Sequence, residues 1–188
     1  MGTAYGTTID GTPTNGASPY VDSLVWGGAW RDTNGGTVTI SYAVKSGGDP
    51  NGLLPNGGYN WFGYETAALS AAMATWEAVA NIDFISTSSA QADAWMWVTD
   101  ASGASGALGW SEVAGYGNEP LYTVFNGDDA TWWSSSLLQG GYAFVTIIHE
   151  LGHLLGLAHP HDGGGAPDAT AFPGVFSSSD LGDCNQNE

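Results

Sequence analysis

The sequence predicts an α+β fold of short strands and two long helices, and three observations predict it. Two segments repeat apolar residues at three- and four-residue steps, the period of a helix with one buried face. Five short runs of β-branched and aromatic residues are bounded by Gly, Ser, Asn and Asp clusters, the pattern of strands and their turns. The 188 residues are enough for one domain with its own core, and no repeat of solenoid or propeller length interrupts them.

Met1 to Tyr20 is rich in Gly, Thr, Pro and Asn without periodicity and reads as a flexible arm or a short pro-segment, ordered sequence being expected from near Leu24. That stretch has neither a basic start nor an apolar run, so it is not an ordinary signal peptide. Thr37 to Val44 follows a Gly-Gly turn and reads as a strand, and Gly47 to Gly58 as a loop. Tyr64 to Ala80 holds strong helix formers, with Leu69, Met73, Trp76 and Val79/Ala80 forming an apolar stripe. Ile82 to Ser86, Ala94 to Val98, Ala107 to Trp110 and Leu121 to Phe125 are short strands. A second helix runs from about Gly141 to Leu155, its buried face made of Phe144, Ile147/Ile148, Leu151 and Leu154/Leu155. Trp76 lies on a helical core stripe, and Trp95 and Trp97 share one face of a strand, so most of the nine tryptophans read as packing.

Two basic residues against 19 acidic ones give a net charge of −17, and the sequence pI is about 4.1. Tracking nucleic-acid phosphates requires clustered Lys and Arg, so nucleic acid is excluded as a partner. An anionic membrane surface is disfavoured for the same reason, and no apolar run reaches the roughly 20 residues that span a bilayer. Charged residues make up only 11% of the chain while 43% is hydrophobic, so the acidity reflects missing cations in a globular protein. Cys184 is the only cysteine, which rules out an intrachain disulfide.

All four histidines, His149, His153, His159 and His161, fall within 13 residues. The stretch His149-Glu150-Leu151-Gly152-His153-Leu154-Leu155-Gly156-Leu157-Ala158-His159 reads H-E-x-x-H-x-x-G-x-x-H. On a helix His149 and His153, four apart, project from one face and can reach one metal ion. Glu150 lies about 100° around the helix, close enough to address a water at the metal without being a ligand. Gly156 is the natural helix stop, since a residue without Cβ tolerates the left-handed turn that would bring His159 back. Three imidazoles leave a fourth position open, the arrangement of a catalytic zinc site. Given the chain's own composition, five fixed identities match by accident on the order of once in 10⁵.

These residues resemble the metzincin zinc metalloproteases and, because Pro160 follows the third histidine, the serralysin family within them. The Thr-Ile-Ser-Tyr strand, the helix ending Trp76-Glu77-Ala78-Val79-Ala80-Asn81-Ile82 and the aromatic strands before the second helix extend the likeness over roughly Leu24 to His161. The resemblance implies a zincin-like catalytic domain over residues 21–188, a twisted mixed sheet with two long helices, with zinc held by His149, His153 and His159 and Glu150 as general base. It implies a secreted, extracellular endopeptidase that cleaves proteins by a zinc-activated water, an extended peptide lying along an edge strand for which Ala107 to Trp110 is the candidate.

Family members continue into a Met-containing turn beneath the metal, with a nearby Tyr, and into a calcium-binding β-roll. After His161 this chain has no Met, no Tyr and no Gly- and Asp-rich nonapeptides. The expectation is therefore an N-terminal piece of a longer protein, lacking the Met-turn and the β-roll, with Ca²⁺ confined to the absent region and a second chain or fragment completing the site. His161 and Asp162 read as a solvated loop beyond the site, and Cys184 as incidental. The competing reading is non-catalytic: a zinc-holding fragment, or an acidic, aromatic-rich binding module.

Overall fold

Ala94–Thr99 and Leu121–Asn126 show little alternation of apolar and polar residues, the pattern of strands covered on both faces. The computed structural model describes residues 7–10, 18–26, 28–32, 35–88, 90–115, 120–160 and 172–175, and every residue of these two strands is buried in it. In chain order the elements are β1 (Thr7–Asp10), α1 (Pro19–Asp22), β2 (Ala29–Asp32), β3 (Val38–Lys45), α2 (Gly63–Glu77), β4 (Ile82–Ser86), β5 (Ala94–Thr99), β6 (Gly109–Ser111), β7 (Leu121–Asn126) and α3 (Tyr142–Leu154). The main sheet has the order β4-β3-β5-β7-β6; the first four run parallel, and β6 closes one edge antiparallel to β7. The fold is thus the predicted α+β arrangement, a mixed sheet with two long helices.

Strand alternation splits the core in two. Ala94, Met96, Val98, Leu121 and Phe125 face the helices and pack with Leu69 and Met73 of α2 and with Phe144, Ile147, Leu151 and Leu154 of α3. Trp95, Trp97, Tyr122 and Val124 face the other way and pack with Leu54. Leu54 belongs to the Gly47–Gly58 loop, whose ends pair through two 2.8 Å backbone hydrogen bonds. Burial would raise the Asp49 carboxyl, but hydrogen bonds from the Tyr122 hydroxyl and from the amides of Asn51, Leu54 and Leu53 outweigh it and hold it below the usual carboxylate range. The loop is thereby fastened across the aromatic face.

Glu65 anchors the start of α2. One carboxylate oxygen accepts from the Phe62 amide at 2.7 Å, and the other from the buried Trp132 indole at 2.8 Å. Glu65→Ala should cost about 1–3 kcal/mol, because two donors lose their acceptor in a site only 3% exposed. A urea midpoint lowered at constant m-value is the expected reading.

Three expectations need correction. Within the segment read as an arm, Thr7–Asp10 pairs as β1 with β2, an antiparallel ladder too short to announce itself by periodicity. The stripe of α2 stops at Glu77, with Ala78 as C-cap, so Val79 is 77% exposed and not part of the core. The edge strand begins at Gly109, not Ala107: the Ala107 and Leu108 carbonyls are taken by the Asn126 side chain and amide at the end of β7. Among the described residues no helix is long and apolar enough to cross a membrane.

Candidate metal centre

The buried stripe of α3 turns the neighbouring face of the helix, with His149 and His153, toward the β6 edge. Two indoles brace this helix from outside it. Trp76 of α2 donates to the Ile148 carbonyl at 3.1 Å, and Trp30 of β2 to the Leu154 carbonyl at 2.7 Å, satisfying an acceptor that the helix end leaves open.

Beyond Leu154 the helix stops as the sequence predicts. Gly156 has φ +103°, the Gly156 amide bonds the His153 carbonyl and the Leu157 amide bonds the Gly152 carbonyl, both at 2.9 Å. That Schellman turn reverses the chain and returns His159 to the helix face. The Nε2 atoms of His149, His153 and His159 end 3.1 Å from one another in all three pairs.

The donor set fits a divalent metal. Ligand nitrogens about 2.0–2.1 Å from a tetrahedral zinc stand roughly 3.3–3.4 Å apart, close to the observed spacing. The His153 Nδ1 lies 2.9 Å from the Leu157 carbonyl, which can only accept, so in the neutral ring the proton sits on Nδ1 and the Nε2 lone pair faces the other two rings. Lone pairs converging at this distance repel unless a cation lies among them. Among the described residues this is the one group of three or more His, Cys, Asp or Glu side chains whose ligand atoms converge.

Glu150 is 6% exposed and lines the same cleft, of about 450 Å³, with Trp26, Trp110, Ser111 and Val113. β6 crosses directly over it: a Cβ on Gly109 would lie 3.0 Å from Glu150 Cγ. Burial pushes the Glu150 carboxyl up to about 8, and a divalent cation on the imidazoles would draw it back down. The arrangement can hold a metal and present a carboxylate to a molecule lying between the metal and the edge strand.

The structure thus brings together His149, Glu150, His153 and His159, all four predicted, and sets the predicted edge strand beside them. His161, Asp162 and Cys184 lie outside the described residues. The sequence reading missed Trp26 and Gly28. Neither belongs to a periodic segment, and only their pairing with the turn after α3 gives them meaning.

The profile of the Peptidase_M10 (matrixin) family matches residues 64–166. The metallopeptidase AprA of Pseudomonas marginalis is 30% identical over 183 residues, a match covering 87% of this chain and 37% of AprA. Serralysin of Photorhabdus luminescens is 31% identical over 99 residues, 52% of this chain and 20% of that protein. The chain therefore spans well under half the length of either relative. A solved structure of myroilysin superposes with a TM-score of 0.49 at 17% identity, covering 84% of this chain and 75% of that one.

Proposed function

This chain belongs to the matrixin family of metallopeptidases, and on that premise we propose that it supplies the catalytic centre of a secreted zinc endopeptidase acting on extracellular proteins. His149, His153 and His159 would hold the zinc, and the observation that carries the reading is the mutual 3.1 Å spacing of their Nε2 atoms beside a buried carboxylate. When bound, zinc supplies a Lewis acid that polarises the scissile carbonyl and makes water acidic enough to attack near neutral pH.

The chain's own groups do the rest. Glu150, the general base, takes the proton of the attacking water and delivers it to the leaving amine. Its carboxylate accepts no hydrogen bond from the described residues, which leaves the carboxylate oxygens available for that transfer. Among the described residues β6 pairs with β7 alone, so its other side offers backbone donors and acceptors to an extended peptide. Such pairing gives affinity that is tolerant of sequence.

Zinc content and casein hydrolysis, measured on the same preparation, test the proposal. One zinc per chain with cleavage abolished by 1,10-phenanthroline is the expected result. Zinc without cleavage would favour a zinc-holding fragment, and neither would favour a binding module.

A further inference from the structure

A segment of the N-terminal region is hydrogen-bonded to the turn that completes the candidate site. The Trp26 amide donates to the Gly156 carbonyl at 2.8 Å, the Ala158 amide donates to the Leu24 carbonyl at 3.0 Å, and Val25 bridges antiparallel to Leu157. Gly28 lies in the same path, pressed between two backbones. A Cβ there would stand 1.8 Å from the Ala114 carbonyl oxygen, and a Cβ on Gly156 would stand 2.3 Å from the Gly28 carbonyl oxygen. The segment thus ties the turn after α3 to the chain just beyond β6.

The turn it holds controls two of the three imidazoles. Leu157, opposite Val25, provides the carbonyl that fixes the His153 ring through Nδ1. Ala158, bonded to Leu24, is the residue before His159. Helix α3 by itself fixes only the backbone of His149 and His153; it cannot set the height or direction of a ligand that lies beyond its end.

We propose that Leu24–Trp26 with Gly28 is a positioning strap for the metal centre, which sets the third ligand and the ring of the second by pinning the Gly156–Ala158 turn. The inference rests on the zinc-site reading above. None of the strap residues is a ligand. Their effect runs through a carbonyl and a peptide bond, the outer layer whose loss typically weakens metal affinity about 10–100-fold.

Zinc affinity by chelator competition, with the absorption spectrum of the cobalt-substituted protein, tests this at a temperature where each variant is folded. Gly28→Ala, whose Cβ forces the strap off Ala114, should weaken zinc about 10–100-fold and alter the cobalt spectrum. Trp26→Pro deletes the amide that bonds Gly156 and should do the same. Trp26→Ala removes the same cleft-lining indole but keeps that amide, and should bind zinc about ten-fold more tightly than Trp26→Pro; Glu65→Ala, which loosens α2 away from the centre, should leave the affinity unchanged. If the parent binds zinc and both Gly28→Ala and Trp26→Pro bind it equally well, the strap inference fails and the site reading stands. A parent that binds no zinc overturns both. Should Gly28→Ala not fold, the Trp26→Pro and Trp26→Ala pair decides the question.

Discussion

Glu150→Gln should lower kcat/KM for a peptide substrate by about 10²–10⁴-fold while zinc content stays at that of the parent. The substitution preserves the shape of the side chain, which matters because β6 lies directly against it and a Cβ on Gly109 would already stand 3.0 Å from Glu150 Cγ. It removes the one capacity the mechanism requires, that of accepting a proton and releasing it again, since an amide is not a base at neutral pH. Glu150 is not among the converging ligand atoms, so the metal should remain. The assay belongs on the form of the protein that hydrolyses casein. Undiminished hydrolysis by the variant would remove Glu150 from the reaction.

The second large effect is on stability. Trp97→Ala should destabilise the fold by about 3–5 kcal/mol, a large part of the roughly 5–15 kcal/mol that holds a typical domain together. Trp97 is fully buried and stacks on Tyr122 with ring centroids 5.8 Å apart, at the centre of the aromatic face beneath the Gly47–Gly58 loop. Its removal leaves a cavity that the neighbouring strand cannot close, because β5 is held in register by β3 and β7. Urea denaturation should show the midpoint falling sharply at a similar m-value. A change under about 1 kcal/mol would mean that this face contributes little, contrary to the two-sided core described above.

The ligand set of the candidate metal centre was legible in the sequence because its spacing is local. Four-residue spacing on one helix aligns His149 with His153, and a glycine three residues later supplies the φ that only a residue without Cβ adopts readily, +103° here. Each of those facts follows from the chain within one turn and one helix. The sheet was nearly as legible, since Ala94–Thr99 and Leu121–Asn126 are mostly apolar with little alternation and need a cover on either face.

What could not be read depends on partners far away in the chain. The pairing of Val25 with Leu157 and of Thr7–Asp10 with β2 leaves no periodic trace, because each is a few backbone hydrogen bonds between short segments. Trp132 and Trp133 are adjacent, yet one is buried against Phe125 with its indole on Glu65 and the other is 53% exposed. Only the position of Glu65 on α2 separates them. The end of α2 was placed too late for a similar reason: Val79 suits the stripe by spacing, but the chain has already left the helix to bring Asn81 to Gly36 and Thr37.

Zinc-edge X-ray absorption on the metal-loaded chain reads the ligand set itself. Ligation by His149, His153 and His159 should give a first shell containing about three imidazole nitrogens at roughly 2.0–2.1 Å, reduced by one in His159→Ala. A chain that takes up no zinc, a shell with fewer than two imidazoles, or a shell that His159→Ala leaves unchanged would contradict it.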